Sequence, residues 1–128
     1  MVQLFHKAYR VLEAHTAAEI GSGGLEVLST PSMIAFMENA AYTYCQELIG
    51  DQLGQTSVGT SLQVKHLKAS PVGAVVEVFI TEAQKQDRTV NFAMEAFVNG
   101  QMIGTAEHER VIVSADRFMA KVNNKNCN

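Results

Sequence analysis

The sequence predicts an α+β fold in which one long helix lies across a bent antiparallel sheet. Two observations carry this. A single apolar-faced helical pattern runs over residues 31–49, and after Gly54 the pattern changes to a period of two, with short turns between segments. One helix packed on one antiparallel sheet is an α+β layer solution. The length of 128 residues suits one domain over residues 1–128, with 118–128 read as a loose polar tail.

The elements follow in order. Residues 3–18 read as a poorly patterned strand or two strand pieces, ending at the flexible joint Gly21-Ser22-Gly23-Gly24. Ser29 and Thr30 offer N-cap hydroxyls for the helix, Pro31 suits its first position, and Gly50 suits its end. At 100° per residue, Ile34, Phe36, Met37, Ala40, Ala41, Tyr44, Cys45 and Leu48 share one arc with Met33, whereas Asn39, Thr43 and Gln46 lie opposite. Val58, Thr60, Leu62, Val64 and His66 alternate with Gly59, Ser61, Gln63 and Lys65, so a straight strand puts the first five on one face. Ser70-Pro71-Val72-Gly73 is a turn. Residues 74–82 and 89–98 read as strands joined near Gln86-Asp87-Arg88, and Asn99-Gly100 is a strong hairpin signal before a strand over 101–113. Residues 116–122 are a polar tail with room for one helical turn.

A helix seated in the concave face of such a sheet is the hot-dog fold, with about five strands. Its free sheet edge calls for pairing with a second copy, so at least a dimer is expected.

Composition narrows the function. Apolar residues at 47% and charged residues at 18% describe a globular chain, and a net charge of −3 argues against a nucleic-acid module. No apolar run reaches the roughly 18 residues that span a bilayer, and the first residues lack a signal-peptide pattern. Cys45 and Cys127 are too few for a disulfide scaffold and read as free thiols in a reducing cytoplasm. No phosphate loop, dinucleotide fingerprint, nucleophile elbow or zinc spacing occurs, so no metal or cofactor is expected.

Three side chains could carry chemistry. Glu38 borders the apolar stripe of the helix, where loss of water suits a general base; a boundary glutamate reaching to solvent gives the same pattern. Thr30 stands at the helix start, where a hydroxyl caps the backbone, or where free N–H groups and the helix dipole bind an oxyanion. His66 closes an apolar strand face and fits proton transfer near neutral pH, or is a satisfied boundary residue. Gly59 marks a bulge or a close backbone approach to a ligand. His108, within Glu107-His108-Glu109-Arg110, reads as part of a solvated or dimer-facing side. Lys65, Lys68, Arg88 and Arg110 read as solvated charge or as contacts to phosphates.

Ser29-Thr30-Pro31-Ser32 leading into Met37-Glu38-Asn39-Ala40-Ala41 resembles the start of the long helix in hot-dog thioesterases. Val58-Gly59-Thr60, followed by His66 and Pro71-Val72-Gly73, resembles the next strand and turn, and Gly104-Thr105-Ala106-Glu107-His108-Glu109-Arg110-Val111 the last strand. Together these resemble the fluoroacetyl-CoA thioesterase-like group over most of residues 25–115. The resemblance implies hydrolysis of an acyl-CoA thioester to free acid and CoA, without a further cofactor. It implies catalytic roles for Thr30, Glu38 and His66, with Gly59 and its neighbour Thr60 against the thioester. A homodimer or a tetramer of dimers would bring residues of two chains to one site. The Gly21–Gly24 segment has no aromatic side chain to close over an acyl group, so selectivity for a fluorinated acyl group is not implied. A non-catalytic acyl-CoA or acyl-carrier binding module fits the same fold. A hydratase fits less well, for want of an Asp-and-His pair near the helix.

Overall fold

The computed structural model describes residues 3–124. The chain forms β1 (Phe5–Arg10), a 3-10 turn (Glu13–His15), α1 (Ala17–Ile20), α2 (Thr30–Ile49), β2 (Gln55–His66), β3 (Val75–Gln86), β4 (Thr89–Val98), β5 (Gln101–Ser114) and α3 (Ala115–Asn123). The strands make one antiparallel sheet in the order β1-β3-β4-β5-β2, so β1 and β2 are its edges. The helix α2 packs across it, and the architecture is the hot-dog fold.

Local chemistry explains the boundaries. Ser29 caps α2: its Oγ accepts from the Ser32 N–H at 3.1 Å, and Pro31 follows Thr30 in the first turn. Asn99 and Gly100 take φ of 50° and 76°, the left-handed pair that lets β4 turn into β5 in two residues. The expected strand over 3–18 is confined to Phe5–Arg10; beyond it Thr16 caps the short α1, its Oγ1 accepting from the Glu19 N–H. From residue 118, where a loose tail was expected, the chain is helical as far as Asn123. Cys127 lies outside the described residues.

The core lies between α2 and the concave face. Met33, Phe36, Met37, Ala40, Ala41 and Cys45 are buried against Val76, Val78, Ile80, Phe92, Met94 and Ile112. Each large side chain taken out of water stabilises the fold by about 1.5–3 kcal/mol. Leu48, expected on the buried arc, stays 45% exposed, although its neighbour Ile49 is buried. The opposite flank of α2 is tied to β1, where Lys7 Nζ and Tyr9 OH both donate to Asn39 Oδ1, at 2.8 and 2.7 Å.

The straight-strand expectation for β2 fails at one point. The β2–β5 register slips between Gly59 and Ser61, leaving Thr60 opposite no residue of β5. Such a bulge adds one residue and exchanges the faces beyond it. Leu62, Val64 and His66 therefore share the inner face with Ser57 and Gly59, not with Val58 and Thr60. Thr60 turns instead to Glu109, its Oγ1 donating to Glu109 Oε1 at 2.6 Å.

Close approach of α2 also requires Gly104. A Cβ there would stand 2.7 Å from Met33 Cε and 2.9 Å from the Lys65 carbonyl oxygen, and the carbonyl belongs to a paired strand that cannot swing aside. Gly104→Ala is expected to lower stability by about 1–3 kcal/mol, the usual cost of overpacking. Urea denaturation checks it: the midpoint should fall with an unchanged m-value.

Candidate active site

Two clusters face the helix along β2. The first is at its C-terminal end. Thr30, on the first turn of α2, places Oγ1 2.8 Å from Nδ1 of His66. The sequence offered Thr30 as a cap, but Ser29 takes that role and frees the Thr30 hydroxyl for the imidazole. The other ring nitrogen, His66 Nε2, is buried without a hydrogen-bond partner. Burial pushes the His66 pKa below its ordinary value, with the Lys68 main chain pulling the other way. The ring is therefore neutral at physiological pH, with one nitrogen in use and one available. Beside the pair lies a cavity of about 340 Å³, bordered by Ala17, Ser22, Val27, Leu28, Pro31 and Leu67.

At the helix start several first-turn donors are already engaged or missing. Pro31 has no N–H, the Ser32 N–H is held by Ser29 Oγ, and the Met33 N–H donates to the Ser29 carbonyl. What this end offers is the Thr30 hydroxyl.

The second cluster surrounds Glu38, two turns further along α2. Its Oε2 lies 3.7 Å from Arg110 Nη1 and 4.0 Å from His108 Nε2. Both distances exceed a hydrogen bond. A Cβ on Gly59 would come within 2.7 Å of the same Oε2, so only glycine allows the carboxylate to lie against the β2 main chain. The Glu38 side chain is 44% exposed and remains open to a ligand.

Arg110 and His108 organise this cluster, and here the sequence reading is corrected. His108 is 3% exposed and Arg110 is 6% exposed; neither is solvated charge. Alternation along β5 turns Glu107 and Glu109 outward, whereas His108, Arg110 and Ile112 point inward. Arg110 Nε donates to Ser57 Oγ at 2.8 Å, Nη2 to the Ser57 carbonyl at 3.1 Å, and Nη1 to His108 Nε2 at 3.1 Å. Tyr42 lies under the guanidinium, its ring centre 5.9 Å from Cζ. Because His108 Nε2 accepts from arginine, its proton sits on Nδ1, which donates to the Ser61 carbonyl at 2.8 Å. His108 is thereby held neutral, and burial, followed by the nearby guanidinium, lowers its pKa. A run of Ile112, Arg110 and His108 at period two was the available signal for inward placement; charge made the opposite reading natural.

Within one chain, then, Thr30 meets His66, and Glu38 meets Gly59, Arg110 and His108. No contact joins the two clusters among the described residues. A larger hollow of about 640 Å³ opens on the sheet face turned away from α2, beside Lys65, Glu82, Glu95 and Glu107, and none of these candidates lines it. Among the described residues, no group of three His, Cys, Asp or Glu is gathered for a metal ion.

Comparison with known proteins places the chain in a family. The sequence model of the fluoroacetyl-CoA-specific thioesterase family, FlK, matches residues 11–116. A fluoroacetyl-CoA thioesterase of Streptantibioticus cattleyicolor is 31% identical over 102 residues, covering 78% of this chain and 70% of that protein. The crystal structure of the fluoroacetyl-CoA thioesterase FlK superposes with a TM-score of 0.86 at 26% identity, covering 98% of this chain and 97% of that one. A hot-dog-like protein from Thermanaerovibrio acidaminovorans shares the fold, with a TM-score of 0.81 at 24% identity over 94% of this chain and 89% of its own. The chain belongs to the fluoroacetyl-CoA-specific thioesterase family, and it is an acyl-CoA thioester hydrolase.

Proposed function

We propose that the reacting thioester lies between the two clusters, one from each chain of a two-fold dimer. The observation that carries this is their placement on the free edge strand: Gly59 and Glu38 stand toward one half of β2, Thr30 and His66 at its other end. Two copies of β2 paired about a two-fold axis run antiparallel. The Gly59 half of one strand then meets the His66 half of the other, so Glu38 of one protomer faces the Thr30–His66 pair of its partner. Pairing also covers the open edge.

In this reading Glu38 acts as the general base. It takes a proton from water, the resulting hydroxide attacks the thioester carbonyl carbon, and the carbon–sulfur bond breaks. His66 relays the proton to the departing thiolate, giving free acid and CoA. Thr30, bonded to His66, orients the ring and the acyl group. Arg110 holds the carboxylate toward Gly59. Thr60, left out of the β5 register, leaves main-chain groups at the bulge to bind the thioester. The acyl group itself is open: the relatives' names specify fluoroacetyl-CoA, whereas the Gly21–Gly24 segment beside the cavity carries no aromatic cover. The buried, unpaired thiol of Cys45 fits a reducing, cytoplasmic setting.

Thiol release from short, branched, long and aromatic acyl-CoAs tests the assignment. Glu38→Gln is expected to lower kcat by about 10²- to 10⁴-fold, the range of general-base catalysis, with melting unchanged. An undiminished rate removes Glu38 from the mechanism.

Gly59→Ala probes position rather than charge. The new methyl displaces the Glu38 carboxylate, and kcat/KM should fall by about 10²-fold, the scale of an ångström misplacement. Unaltered kinetics would place the thioester elsewhere.

His66 and His108 set a pH dependence. Burial holds the pKa values of these two below the ordinary value of about 6.5, so the unfolded chain takes up protons first. Their stabilising contribution is complete above that value and is lost as pH falls through the folded values. The loss of unfolding free energy between pH 7 and pH 5 should be smaller in His108→Gln than in the parent protein, measured by urea titration at each pH.

A further inference from the structure

The helix α3 has an apolar stripe that remains exposed among the described residues. Phe118, Met119 and Val122, at helical spacing, are 38%, 49% and 62% exposed, and no residue of the helix is buried. A nine-residue helix is marginal by itself and depends on packing. A second uncovered apolar residue lies at the far end of β2, where Leu67, 57% exposed, borders the cavity beside Thr30 and His66.

The two sit at opposite ends of the same free strand. The Ala115 N–H donates to the Gly54 carbonyl at 2.7 Å and Ser114 pairs with Gln55, so α3 springs from the Gln55 end. The cavity lies at the His66 end. Antiparallel pairing of β2 with its copy superimposes the two ends. The α3 stripe of one protomer is thereby brought to the end of the partner that holds the cavity.

The segment that supplies much of the cavity wall, residues 11–29, contains Glu13, Glu19 and Glu26 and no lysine or arginine, with Lys68 the one basic residue on the rim, whereas α3 carries Arg117 and Lys121 against the single Asp116. Among the described residues, Glu19, Glu26, Arg117 and Lys121 form no ion pair. A second copy of this chain would bring an apolar stripe with basic flanks toward the cavity end, whose neighbouring segment is acidic.

We propose that α3 docks on the partner subunit and forms one wall of its acyl-CoA cavity, so that the substrate passage beside Thr30 and His66 is completed by Phe118, Met119 and Val122 of the other chain. This rests on the two-fold β2 pairing of the proposed function. The aromatic cover missing from the Gly21–Gly24 segment is then supplied in trans.

The chain contains no tryptophan, so Leu67→Trp places a single fluorescent reporter on the cavity rim. Its emission is expected at short wavelength in the dimer. Co-refolding this reporter chain with a large excess of Phe118→Asp/Met119→Asp chain should move the emission to longer wavelength. With the reporter and the α3 substitutions in one chain, and excess parent chain as partner, emission should stay at short wavelength. Sensitivity only to the reporter's own α3, or to neither, overturns the docking. Sedimentation separates the two ideas. A dimer with an insensitive reporter refutes the α3 placement alone, whereas a monomer at all concentrations refutes the β2 pairing too.

Discussion

The buried guanidinium of Arg110 is the constraint on which the functional half of the molecule turns. A cation removed from water costs several kcal/mol unless its donors are met. Here they are met from three directions: Ser57 on β2, His108 on β5, and the ring of Tyr42 together with the Glu38 carboxylate on α2. One side chain thereby fixes the edge strand, the tautomer of a buried histidine and the position of a half-exposed carboxylate. Removing it would leave His108 Nε2 without its donor, beside an unneutralised carboxylate.

The bulge in β2 belongs to the same logic. Ser57 reaches the guanidinium because it faces inward, and His66 reaches Thr30 because it also faces inward. The two are nine positions apart, an odd interval that a straight strand would send to opposite faces. The extra residue at Thr60 reconciles them. Glycine beside it lets the carboxylate lie against the main chain, and Gly104 performs a parallel service for Met33 on β5. Fold and site are thus adjusted by the same few departures from regular strand geometry. The burial of α2 supplies cohesion, and the glycines set how near it may come.

Charge on the two imidazoles follows from this packing. Both histidines are desolvated, and His108 also faces a guanidinium, so both are neutral bases near pH 7. A neutral His66 with one nitrogen on a hydroxyl and the other unengaged is suited to carrying a proton between groups. His108, with both nitrogens occupied, is suited to holding Arg110 in place. Two residues of the same type take different roles because their hydrogen-bond partners differ.

Much of this was legible in the sequence. The span of α2 followed from an apolar stripe between a serine-threonine-proline start and a glycine stop, and β4 and its hairpin followed from alternation ending at Asn99-Gly100. Such signals are local: capping, φ preference and periodicity act within a few residues. Glu38 on the border of the helical stripe and Gly59 as a bulge or close approach were also readable, since each depends on a residue's own element. Which face of β2 carries His66, and the inward turn of His108 and Arg110, were not. Those depend on a register slip and on partners about fifty residues away, which no local pattern records. The sequence by itself determined the long helix, the strands that follow it, the fold class and the family. Tertiary structure decided which hydroxyl caps and which meets a histidine, and which charges are buried, because only packing brings a donor to a distant acceptor and excludes the water that would otherwise serve both.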